Sequence, residues 1–199
     1  MTLTRLSPLL ACLLPCLLPR LGHAADFNVA TLSCDKYENV ILGPSADHAD
    51  PAKSPDSINT VMWLFGYSVA KAGEHFMYGD SLSYFGFALD AECKSSPSTS
   101  LLEALTAVRP KHDKPMDLTT LNCATWESRH EISARNDPDS AMTIMMWLFG
   151  YSIGLSGGHV YDSNGLPRFS AALQGRCTQH PEDSLFDSLT ALNKSVARP

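Results

Sequence analysis

The stretch WLFGYS stands at residues 63–68 and again at residues 147–152. A six-residue identity that includes Trp, Phe and Tyr is not a chance recurrence in a chain of 199 residues. Sliding the sequence against itself by 84 residues extends the match on both sides. His75 meets His159, Leu82 meets Leu166, Phe85 meets Phe169, Leu89 meets Leu173 and Cys93 meets Cys177. Further on, Pro97 meets Pro181, and Ser100-Leu101 meets Ser184-Leu185. Upstream, Leu32-x-Cys34 corresponds to Leu121-x-Cys123 at a shift of 89, so the first copy carries five extra residues before its Trp. They fall in the Pro-, Ala-, Ser- and Asp-rich stretch 43–56, which reads as a surface loop.

The chain is therefore read as a tandem duplication: residues 25–109, a linker at 110–116 closed by Pro115, and residues 117–199. Two copies are too few for a solenoid. Each unit must fold largely by itself, or the two must dock as an internal pseudo-dimer.

Within each copy the periodicity is helical. Ile58, Val61, Met62, Phe65 and Val69 recur at three and four, as do Met142, Met145, Met146, Phe149 and Ile153, so the hexapeptide lies in an amphipathic helix. Trp63 and Tyr67, like Trp147 and Tyr151, are four apart and share a helix face. Gly66 and Gly150 inside these helices each cost about 1 kcal/mol relative to Ala, which predicts close packing of another helix there. A second helix carries Leu82, Phe85, Leu89 and Cys93, or Leu166, Phe169, Leu173 and Cys177, with Asp80 and Asn164 as N-caps. A third is expected to open with Pro97 or Pro181 in its first turn, after Ser96 or His180, and to bury Leu101, Leu102 and Leu105 or Leu185, Phe186 and Leu189. The expected class is all-α: two small helical units in tandem.

Residues 1–24 combine an early Arg, a proline-broken apolar run and a small-residue end at Ala24, the parts of a cleaved secretory signal peptide. Leu-Leu-Ala-Cys ending at Cys12 loosely matches a lipoprotein processing box, the alternative to free release. Cleavage would remove Arg5 and Arg20 and no acids, leaving 13 Lys and Arg against 21 Asp and Glu, a net of −8. That charge disfavours nucleic acid and anionic membranes as partners. No stretch has the length of a membrane span.

Four cysteines would remain, Cys34, Cys93, Cys123 and Cys177, an even set suited to an oxidising compartment. Four cysteines allow three pairings, and the repeat favours Cys34–Cys93 with Cys123–Cys177, the same staple in each copy. Cross-copy pairing would break that symmetry. Enzyme signatures are absent: there is no GxSxG, HExxH, phosphate-binding glycine loop or CxxC. His75 and His159 sit in equivalent Gly-x-His contexts but lack the further ligands a zinc site needs. Structural or surface roles, and no cofactor, are expected.

The stretches SCDKY, WLFGYS and ECKSSPSTSLLEAL in the first copy, and NCATW, WLFGYS and RCTQHPEDSLFDSL in the second, resemble the HdeA/HdeB family of periplasmic acid-stress chaperones. The match runs from about Leu32 to Leu192. The resemblance implies a small helical domain with one internal disulfide per copy. It also implies a homodimer near neutral pH that loosens in strong acid and holds denatured periplasmic proteins through exposed apolar surface. Here the internal pair could replace that homodimer. Trp63, Leu64, Phe65 and Tyr67 with Trp147, Leu148, Phe149 and Tyr151 are then the candidate client or interface surface. A neutral-pH periplasmic binding module, neutralising a toxin or holding an envelope partner, is the competing expectation.

Overall fold

The computed structural model describes residues 26–37, 55–77, 82–108 and 116–196. The signal-peptide segment 1–24 with Cys12, the N-cap candidate Asp80, and all of the 110–116 linker except Met116 lie outside them. Among the described residues the chain is helical, with four two-residue strands. In order these are β1 (Phe27–Asn28), α1 (Cys34–Tyr37), α2 (Pro55–Lys71), β2 (Phe76–Met77), α3 (Leu82–Ser95) and α4 (Leu101–Ala107). The second half follows the same order with β3 (Met116–Asp117), α5 (Cys123–Asn136), α6 (Pro138–Ser156), β4 (Val160–Tyr161), α7 (Gly165–Gln179) and α8 (Leu185–Val196).

Both WLFGYS copies are helical, in α2 and α6. These helices are not half-buried surface helices, however. Every residue from 62 to 70 and from 145 to 152 is buried. The apolar stripe covers one side, and small or aromatic residues let a second helix close the other. Met142, on the expected inward stripe, is 47% exposed; it lies in the first turns of α6, outside the run over which that helix is enclosed. Of the loop expected at 43–56, Pro55 and Asp56 instead open α2, and the rest is outside the described residues. A proline at the first helical position has no amide to leave unbonded, so it starts a helix readily.

The two disulfides are Cys34–Cys93 and Cys123–Cys177, with Cα atoms 4.8 and 5.0 Å apart. They bind α1 to α3 and α5 to α7. The last helix of each half, expected as the third, starts later than the prolines suggested. Ser100 caps α4 in a capping box with Glu103, and the Ser184 hydroxyl accepts the amide of Asp187 in α8. Pro97 and Pro181 lie in the preceding turns, because the carbonyls there have another use. Thr99 and Pro97 accept the amides of Cys34 and Asp35, and Asp183 and Pro181 accept those of Cys123 and Ala124. The free N–H groups at the starts of α1 and α5 are thereby satisfied. Asn164 precedes α7 but makes no side-chain cap, and its own amide donates to the Asp162 carboxylate at 2.9 Å.

The strands join the halves. β1 pairs antiparallel with β4, Phe27 opposite Tyr161, and β2 pairs antiparallel with β3, Phe76 opposite Asp117. Beyond each pair the ladder gains a reciprocal bond: the Val29 amide donates to the His159 carbonyl at 2.9 Å, and the Leu118 amide to the His75 carbonyl at 2.9 Å. Each half thus gives its leading strand to the other, and one continuous core results.

Candidate functional site: the aromatic interface between the halves

Helices α2 and α6 run parallel and touch backbone to backbone. A Cβ on Gly66 would stand 2.0 Å from the Trp147 carbonyl oxygen, and one on Gly150 would stand 1.9 Å from the Trp63 carbonyl oxygen. Farther along, Gly154 lies against Ala70 and Tyr67. The spacing Gly66-x3-Ala70 and Gly150-x3-Gly154 therefore carries the contact, since only small residues four apart on a helix face allow so close an approach.

All eight candidate surface residues lie in this region and are enclosed. Trp63, Leu64, Phe65, Tyr67, Trp147, Leu148 and Tyr151 have no exposed surface, and Phe149 retains 5%. Trp63 stacks on Tyr67 at 5.4 Å and Trp147 on Tyr151 at 5.2 Å, the four-residue pairs on each helix face. Between the halves the rings meet edge to face: Trp63 with Phe149 at 6.5 Å and Phe65 with Trp147 at 6.3 Å. Phe27 and Tyr161, paired in β1–β4, stack on one another and complete the box around Trp63. Aromatic pairs in these geometries add about 0.5–1.5 kcal/mol each beyond the area they bury. Both indole N–H groups are buried without an acceptor among the described residues.

His75 and His159 reach the same interface. The Tyr67 hydroxyl lies 2.7 Å from His159 Nδ1, and the Tyr151 hydroxyl 2.9 Å from His75 Nδ1. Tyr151 also donates to the Glu74 carbonyl at 3.1 Å. A phenol has one proton, so His75 Nδ1 must be the donor to Tyr151. The sequence showed these histidines at equivalent positions; it did not show that each reaches into the opposite half. Their position eight residues after a tyrosine of the central helix is the only trace of it.

Burial raises both phenols, Tyr67 to about 12 and Tyr151 further. A raised phenol keeps its proton in the folded state after an unfolded chain has lost it. The stability involved is intact below about pH 10 and is lost as pH rises toward the folded values. Of the six tyrosines, Tyr67 and Tyr151 should stay protonated beyond about pH 11 and ionise together with loss of helical circular dichroism. Tyrosinate absorbance that reaches its full amplitude before unfolding would contradict their enclosure.

Two carboxylates stand at the strand joins. Asp26 accepts the Ser163 amide at 2.8 Å, a tie across the halves beside β1–β4, and this bond to Ser163 lowers its pKa. Asp117, in β3, is lowered by the hydroxyl and amide of Thr119, with His75 adding a smaller attraction. Asp137 caps α6, and its bonds to Ser140 lower it similarly. Among the described residues, no group of three or more His, Cys, Asp or Glu is placed to hold a metal ion. No helix there is long and apolar enough to cross a membrane. The arrangement can bury or, if the halves part, present a large aromatic surface. No family model, curated protein or solved structure matches the chain.

Proposed function

We propose that this is an exported, periplasmic, ATP-independent holdase of the HdeA/HdeB kind, built as a tandem pair of HdeA-like units. Acid opens it, and it holds denatured proteins through the faces of α2 and α6. The observation that carries this reading is the enclosure of both WLFGYS segments against each other, with short polar ties closing the edges. Asp26 and Asp117 supply a sign for the pH response. A carboxylate lowered in the folded state stabilises it above the ordinary value near 4, and that contribution disappears as pH falls through the folded value. Below about pH 4 the Asp26–Ser163 tie across the halves and the smaller attraction between Asp117 and His75 weaken, while the charge of the cleaved chain swings from −8 toward about +19, counting 13 Lys and Arg and six His. The disulfides limit how far each half can then expand.

Mixed in equal amounts with an acid-denatured client at about pH 2–3, the cleaved chain should suppress light scattering. Over the same range its Trp fluorescence should shift to the red, and an apolar dye should bind. Unchanged scattering would remove the holdase reading.

One observation favours the competing reading. On α3, Tyr84 is 53% and Phe87 74% exposed, whereas Arg168 and Ala171 occupy these positions in α7. An exposed aromatic pair that the equivalent helix does without suits a binding module working at neutral pH. Retention of buried Trp fluorescence at about pH 2.5 would support that module instead.

A further inference from the structure

The interface between the halves is almost self-complementary. Gly66 and Gly150 are the same position of the repeat, each half supplies one Tyr and one His to the cross-half bonds, and each supplies one leading and one trailing strand. On these contacts alone, the inner face of α2 would fit α2 of a second copy as well as it fits α6. Among the residues at the close helix contact, Trp63, Gly66, Tyr67 and Ala70 against Trp147, Gly150, Tyr151 and Gly154, one position differs. Residues 70 and 154 correspond at the shift of 84, yet one is Ala and the other Gly. They also face each other: a Cβ on Gly154 would stand 2.8 Å from the Ala70 Cβ and 2.9 Å from the Tyr67 carbonyl oxygen.

Neither neighbour can move aside, because a Cβ and a carbonyl are fixed to the helix that carries them. Beside the Ala70 methyl the contact therefore has no room for a second methyl group. Pairing α2 with α6 supplies one methyl in all, pairing α2 with α2 of a second copy would supply two, and pairing α6 with α6 would supply none. We propose that Ala70 and Gly154 are a steric code that matches the inner face of α2 to α6 and rejects a second copy of α2. The partner this face accepts is a helix of the same pattern with glycine at the position of Gly154. The inference concerns the folded chain at neutral pH and does not depend on the holdase reading.

Three variants of the full chain test it by denaturant unfolding: G154A, A70G and A70G/G154A. Helix propensity alone would make G154A more stable and A70G less stable, and would leave the exchanged pair near wild type by simple addition. The steric code predicts instead that G154A lowers the folded-to-unfolded ratio by about tenfold to a hundredfold. Adding A70G to G154A should then restore a measurable part of that loss, since it removes the 2.8 Å contact with the Ala70 Cβ and leaves only the 2.9 Å contact with the Tyr67 carbonyl oxygen. Should G154A alone not fold, recovery of a folded, monomeric A70G/G154A chain is the supporting result. A G154A chain that unfolds at the wild-type midpoint, or a double variant no more stable than G154A, overturns the proposal.

Discussion

Gly150→Ala should unfold the chain or remove more than about 4 kcal/mol of its stability, although in an isolated helix the same change would add about 1 kcal/mol. The added Cβ would stand 1.9 Å from the Trp63 carbonyl oxygen and 2.7 Å from its carbon. Backbone atoms cannot rotate away, so α2 and α6 would have to separate along their whole contact. That separation would loosen the edge-to-face rings and both Tyr–His bonds at once. Gly66→Ala should behave alike, with the Trp147 carbonyl oxygen 2.0 Å away. Two other helical glycines serve as controls. A Cβ on Gly86 meets Val61 at an ordinary 3.7 Å, and one on Gly175 meets nothing within 4 Å. Gly86→Ala and Gly175→Ala should therefore leave stability unchanged or raise it by up to about 1 kcal/mol. Chemical denaturation of the four variants checks the set, and a Gly150→Ala chain as stable as Gly175→Ala would mean that the helices do not approach so closely.

The second large effect is expected on removing a disulfide. Cys34–Cys93 spans a sequence separation of 59 and Cys123–Cys177 one of 54, so on the chain-entropy account each contributes about 4 kcal/mol by restricting the unfolded chain. Paired Cys→Ala changes at Cys123 and Cys177 should lower stability by about that amount, plus a smaller cost from vacated core volume, both sulfurs being fully buried. Loss of both bridges amounts to about 8 kcal/mol, which is comparable to the whole stability of a domain this size. Full reduction should therefore unfold the chain at neutral pH. A reduced chain whose circular dichroism and Trp emission match the oxidised protein would show that the core suffices unaided.

Much of this architecture is legible residue by residue. Phe85, Leu89 and Cys93, read as a buried stripe at helical spacing, are buried, as are their counterparts Leu173 and Cys177. Leu101 and Leu105, with Leu185 and Leu189, are likewise in the core. The misplaced helix starts at Pro97 and Pro181 have a single cause. A proline after a helical cysteine satisfies the rule for a first turn, but the rule cannot register that the proline carbonyls of that turn bond to the cysteine helix, 62 or 57 residues away. The two-residue strands were equally hidden. Phe27-Asn28 has no alternation to read at that length, and its partner Val160-Tyr161 is over 130 residues distant.

The sequence by itself showed the recurrence of WLFGYS and the matches at a shift of 84, the helical character of both segments and most residues of each apolar stripe, and it favoured the symmetric cysteine pairing. It also marked Gly66 and Gly150 as places where something must come close. These are local properties, set by side-chain chemistry at spacings of three and four, or by identity between the copies. Only the tertiary structure decided that each glycine's neighbour is the other's helix, that the leading strands cross between halves, and that His75 and His159 bond to tyrosines on the opposite side. A helical pattern states which face must leave water but is indifferent to what covers it. Here the choice is made by fit at contact distance, where one methyl at residue 70 and none at residue 154 distinguish faces that are otherwise nearly the same.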